Sequence, residues 1–163
     1  MSQEIIKTRE IDYGNISQLG RFLFDHRIVA DHLKTYKNQL TFRRKGKRKV
    51  EIFSKKIEST GKCWDRQDPE IVSDFFREKK LKLATLWEMA AIFPCRWEIQ
   101  EFRDFINEFG EDATLFAFGQ HIESFAGTLY AIIYSDCRSM FRYDFQYSSP
   151  TSNIWYVGYR YIK

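Results

Sequence analysis

Apolar and polar positions alternate with two different periods along this chain, helical through the first two thirds and strand-like in the last. Ser17 to Lys37 place Leu19, Phe22, Leu23, Val29, Leu33 and Tyr36 at spacings of about three to four residues, which predicts an N-terminal amphipathic helix whose phase slips around His26. Leu40-Thr41-Phe42-Arg43 and Lys49-Val50-Glu51-Ile52 then read as a β-hairpin turning through Arg44 to Arg48. A two-residue loop at Lys45-Gly46 would set Phe42 against Lys49, whereas an odd loop pairs Phe42 with Val50 and Leu40 with Ile52 on one apolar face. The odd loop is therefore expected, with Gly46 supplying a positive φ.

Asp68-Pro69-Glu70 carries the chemistry of a helix start. Asp68 caps free amides, Pro69 fits the first turn and Glu70 complements the dipole. Ile71, Val72, Phe75 and Phe76, then Leu83, Leu86, Trp87 and Ala90, are in phase with one helix up to Phe93 or with two joined near Lys79-Lys80, and Pro94 ends the run. A further helix from about Arg96 carries Ile99, Phe102, Ile106 and Phe109 on one stripe, with Gly110 as its C-terminal cap. Ala113 to Phe118 and Thr128 to Tyr134 read as apolar strands. Ser139 to Tyr147 alternates strictly, and Trp155, Val157, Tyr159 and Tyr161 repeat the alternation after a loop at 148–153, which predicts an antiparallel pair with cross-strand aromatic contacts. The expected class is α+β in a single domain spanning 1–163: an N-terminal helix and basic hairpin, central helices, and a C-terminal, mainly antiparallel sheet.

Charge changes this picture at one place. The segment from Lys34 to Lys56 holds ten Lys and Arg against Glu51 alone, although the whole chain has 26 basic and 22 acidic residues and a net charge of +4. The remainder is therefore acidic, and the cluster points to a polyanion or an acidic protein as partner. Arg43, Arg44, Lys45, Lys47, Arg48 and Lys49, supported by Lys55 and Lys56, are the candidate phosphate contacts, because a two-stranded ribbon can enter a groove or clamp a single strand of DNA or RNA. Tyr143, Tyr147, Trp155 and Tyr159, with Tyr161, are candidates for base stacking. The competing explanation for that aromatic stripe is core packing, and the competing explanation for the hairpin is a solvated edge or one neutralised by the acids of the 98–112 segment.

Other motifs exclude more than they suggest. Asp25-His26 and Asp31-His32 repeat a doublet, but on a helix Asp25 and His32 stand about 10 Å apart along the axis, too far for one ion. His121-Ile122-Glu123 matches the His-x-Glu of zinc nucleobase deaminases without the later Pro-Cys-x-x-Cys that completes the metal cage. Phosphate-loop, dinucleotide and hydrolase-elbow patterns are absent. Glu123, Asp136 and Asp144 would be the first carboxylates to examine in a metal nuclease. No catalytic residue, metal or cofactor is assigned. Cys63, Cys95 and Cys137 are unpaired in pattern, and no apolar run approaches a membrane span, so a cytoplasmic, reducing location without membrane contact is expected.

The functional expectation is a non-catalytic nucleic-acid-binding accessory protein that uses the hairpin at residues 40–53. The alternative is a protein-interaction module, such as a phage- or mobile-element-type inhibitor of a nuclease or other nucleic-acid enzyme.

Overall fold

The computed structural model describes residues 4–13, 46–56, 67–92, 99–125, 127–135, 141–147 and 153–163. It shows strands β1 (Glu4–Asp12), β2 (Lys47–Lys56), β3 (Lys82–Leu83), β4 (Ala113–Ser124), β5 (Gly127–Ser135), β6 (Phe141–Gln146) and β7 (Asn153–Tyr161). Helices α1 (Pro69–Glu78), α2 (Leu86–Ile92) and α3 (Ile99–Phe109) lie between β2 and β4 in sequence. The strands make one mixed sheet in the order β1-β2-β7-β4-β5-β6, with β3 paired to β7 off this path. Every pairing is antiparallel except β4 with β7.

Pairing follows side-chain chemistry on both faces. One face carries Ile11 and Tyr13, Val50 and Ile52, Leu115 and Ala117, Ala131 and Ile133, and Trp155, Val157 and Tyr159, which form one core with Trp87 and Met89 of α2 and Phe105 and Phe109 of α3. The opposite face carries Phe53, Phe116, Ile132, Ile154 and Tyr156, covered by Val72 and Phe76 of α1. Strand β7 is therefore buried on both sides, which its unbroken run from Ile154 to Tyr159 allows. Gly158 has a specific reason: a Cβ there would stand 2.7 Å from the Phe76 ring, so only glycine lets that ring approach the strand so closely.

The helix termini are made by identifiable side chains. Asp68 Oδ1 accepts from Glu70 N at 2.9 Å, with Pro69 in the first turn as the sequence predicts. α1 ends in a Schellman arrangement, where Leu81 N donates to Phe76 O and Lys80 N to Arg77 O, with Lys80 at φ +57° in the place glycine usually takes. The expected apolar run from Ile71 to Phe93 is therefore two helices with β3 between them. α3 ends at Gly110, φ +93°, and its last carbonyl is capped from β7: Asn153 Nδ2 and Trp155 Nε1 both donate to Phe109 O, at 2.8 and 3.1 Å. Strand β3 wedges between β7 and β4, since Ala84 N donates to Val157 O and Gly119 N donates to Ala84 O. β4 yields by slipping register against β5 between Ala117 and His121.

Three expectations are corrected. The chain begins its described part with a strand, not a helix, and the helix expected over 17–37 lies outside the described residues. The hairpin between 40–43 and 49–52 does not form in the expected way: Val50, Glu51 and Ile52 already have Arg9, Thr8 and Lys7 of β1 on one side and Tyr161, Arg160 and Tyr159 of β7 on the other. β2 is thus an interior strand of the sheet, and the other half of the expected hairpin, 40–43, lies outside the described residues. Finally, β6 pairs with β5, and β5 and β4 separate it from β7, so the expected aromatic ladder between 141–147 and 155–161 is not made. The mixed α and β composition with a mostly sheet C-terminal part is as expected.

Candidate nucleic-acid interface

Lys47, Arg48 and Lys49 open β2 and are all exposed. They follow Gly46, whose φ of +83° turns the chain into the strand and whose carbonyl accepts from Tyr13 N at 3.0 Å. That bond, continuous with the Asp12 to Lys47 pair, closes the ends of the 14–45 segment on one another. Alternation then puts Lys47 and Lys49 on the α1 side of the sheet and Arg48 on the other. Their cross-strand neighbours are Asp12 and Glu10, which reduces the local charge but forms no ion pair with them among the described residues. Arg43, Arg44 and Lys45 lie outside the described residues.

The cations further along are less exposed. Lys55 is only 6% exposed, and its Nζ lies 2.9 Å from Glu4 Oε1. It is thus withdrawn from the exposed set that the sequence suggested. Lys56 is half-buried at the end of β2. Arg160 and Lys79 were missed as basic participants. Arg160 pairs with Glu51 at 2.7 Å, and Lys79 reaches Glu4 at 3.7 Å. Both come from sequence-distant elements: register with β7 brings Arg160 to Glu51, and the position of α1 over Phe53 brings Lys79. The acidic helix α3 is answered elsewhere in part, since Glu108 pairs with Lys7 of β1 at 2.6 Å.

Aromatic candidates divide sharply. Trp155 and Tyr159 are each 1% exposed and packed in the core, so neither can stack on a base. Tyr147 is exposed, and Tyr161 is partly exposed with Lys82 Nζ 5.2 Å from its ring centre. Tyr143 stands opposite Ile133 in β6, and its side chain lies outside the described residues. Phe125 is a further exposed ring that periodicity did not single out. It sits at the tip of the β4–β5 hairpin, whose Ser124 hydroxyl donates to Gly127 O at 2.9 Å.

A buried carboxylate anchors the base of the basic segment. Glu88 is 0% exposed at the start of α2, where it completes a capping box with Thr85: Thr85 N and Oγ1 both donate to Oε2, and Trp87 N donates to Thr85 Oγ1. Its other oxygen accepts the Tyr13 hydroxyl at 2.6 Å. Burial, followed by the Glu88 charge, pushes the Tyr13 phenol far above its ordinary value of 10.0, so it remains a donor. Among the described residues there is no cluster of three or more His, Cys, Asp or Glu that could hold a metal ion, and no helix is long and apolar enough to cross a membrane. Comparison with protein-family models, curated proteins and solved structures found no match.

Proposed function

We propose that this chain is a non-catalytic nucleic-acid-binding accessory protein whose phosphate contacts are Arg43, Arg44, Lys45, Lys47, Arg48 and Lys49. The supporting observation is the state of the last three. They are exposed and without ion pairs among the described residues, while Lys7, Lys55, Lys79 and Arg160 are each held by an acid. Exposed cations outside ion pairs release counterions from a phosphate backbone at little desolvation cost. Contact through the start of β2 and the residues before it replaces the ribbon that the sequence suggested.

Fluorescence anisotropy with labelled single- and double-stranded DNA and RNA tests this reading. Replacing Lys47, Arg48 and Lys49 together with Ala should weaken binding to all sequences alike and flatten the plot of log K against log salt by about 2. Absence of any wild-type affinity at about 50 mM salt defeats the proposal, since phosphate contacts are strongest at low salt.

The exposed Phe125 tip supports a second reading, a protein-interaction module that inhibits a nuclease or other nucleic-acid enzyme. A stoichiometric partner that survives nuclease treatment and is lost with Phe125→Ser would favour it.

A further inference from the structure

Lys55 and Glu88 are the charged residues buried among those described, and only Lys55 is a cation. Its ammonium meets Glu4 across the β1–β2 pair at 2.9 Å. Lys79, just past the end of α1, points its own ammonium at the same Glu4 oxygen from 3.7 Å. Phe53 and Phe75 form the floor beneath them. Lys79 Nζ lies 5.5 and 5.3 Å from those ring centres, and Lys55 Nζ lies 5.9 Å from Phe75.

Two cations therefore converge on one carboxylate oxygen above an apolar wall. A buried ammonium requires an anion, and one carboxylate would satisfy one lysine. The second ammonium, on a side chain 42% exposed, gives the point one more positive than negative charge. A phosphate group removes that mismatch, because it carries more negative charge or more oxygens and can give each ammonium its own acceptor. Glu4 is also able to leave. Among the described residues it sits at the end of the outermost strand, β1, and its side chain is 36% exposed.

We propose that Lys55 and Lys79 form a phosphate-binding site that Glu4 occupies as an internal substitute, so that a phosphate group binds by displacing the Glu4 carboxylate. This deepens the nucleic-acid reading and rests on it for the bearer of the phosphate. Lys47, Lys49 and Lys55 lie on the same face of β2, and eight residues of strand separate the first from the last by about 26 Å. The site would thus take a phosphate well beyond the first contacts.

Calorimetric titration at fixed ionic strength tests it with two probes, inorganic phosphate and an oligothymidylate lacking terminal phosphates. Glu4→Gln should bind one or both about tenfold more tightly than wild type, and adding Lys79→Ala should abolish the gain. A gain with phosphate alone identifies a free or terminal phosphate, and a gain with the oligonucleotide identifies the backbone diester. A folded Glu4→Gln protein with wild-type affinity for both probes overturns the site. The function proposed above is judged separately by the Lys47, Arg48 and Lys49 substitutions, so either can fail alone. If Glu4→Gln does not fold, Lys79→Ala in the wild-type background decides: weaker phosphate binding supports the site, and unchanged binding refutes it.

Discussion

Tyr13→Phe removes a single oxygen from the buried contact between β1 and α2. The lost bond is short, 2.6 Å, and runs to a carboxylate that is fully enclosed. Hydrogen bonds to charged groups contribute about 1.5–3 kcal/mol net, and the upper half of that range applies when the partner keeps its burial and loses a donor. Phenylalanine fills the same space, so no cavity cost is added. The expected destabilisation is about 2–3 kcal/mol, a fall in Tm of about 4–12 °C for a chain of this size. Urea unfolding followed by circular dichroism measures it, with an unchanged m-value as the sign that the compactness of each state is preserved. Glu88→Gln supplies the cross-check. Against that neutral partner, Tyr13→Phe should cost only about 0.5–1.5 kcal/mol, so a double-mutant cycle isolates the charge-assisted part. Loss of less than about 0.5 kcal/mol in the wild-type background would mean that Glu88 is adequately satisfied without the phenol, and the reasoning would be refuted.

Three further outcomes follow from single positions. Gly119→Ala should destabilise by about 1–3 kcal/mol in the same urea assay, because its Cβ would stand 2.5 Å from Ala84 O and closer still to Leu83 O, both backbone atoms of the wedge. Lys80→Gly should stabilise by about 1 kcal/mol, since the left-handed backbone at φ +57° is strained for lysine and free for glycine; an equal or lower Tm would contradict this. The hydrogen bond from Lys55, with lesser help from the charges of Lys55 and Lys79, holds the Glu4 carboxyl below its ordinary value of 4.5. A depressed acid stabilises the fold above its unfolded pKa and loses that contribution as pH falls through the folded one. The stability difference between wild type and Glu4→Gln should therefore be constant near neutrality and disappear below 4.5, whereas a difference that persists in acid would show that charge is not its source.

Local chemistry was legible in the sequence where a few adjacent residues decide the outcome. Asp68-Pro69-Glu70 marks a helix start, and Gly110 marks a helix end, because capping depends on neighbours alone. β1 was invisible for an equally physical reason. Its inward positions are Ile5, Lys7, Arg9 and Ile11, and two long cations at half-buried sites break the apolar alternation by which strands are recognised. Its pairing with β2 also spans residues 14–45, beyond the reach of turn chemistry. The register argument for the hairpin was sound for two isolated strands but assumed that β2 had a free edge. In β7 the signal was present and misread: alternation of Trp155, Val157 and Tyr159 suggested one buried face, while the intervening Ile154, Tyr156 and Gly158 show a strand enclosed on both. Of the candidate site, the cationic segment was visible as composition, whereas Glu4, Lys79 and Arg160 join it only through tertiary pairing.

The central position of β7 bears on how the molecule is assembled. Among the described residues, β1 with β2, and β4 with β5 and β6, are two antiparallel units whose backbones are joined in the sheet only by β7, the last of these strands in sequence. During ribosomal synthesis, each unit can close on its own before the strand between them emerges. Until then, the edges of β2 and β4 that will receive it remain open, with Val50, Phe53, Leu115 and Phe116 beside them awaiting cover. Such edges pair readily with another chain, so the interval before β7 docks is when a nascent copy is most exposed to aggregation.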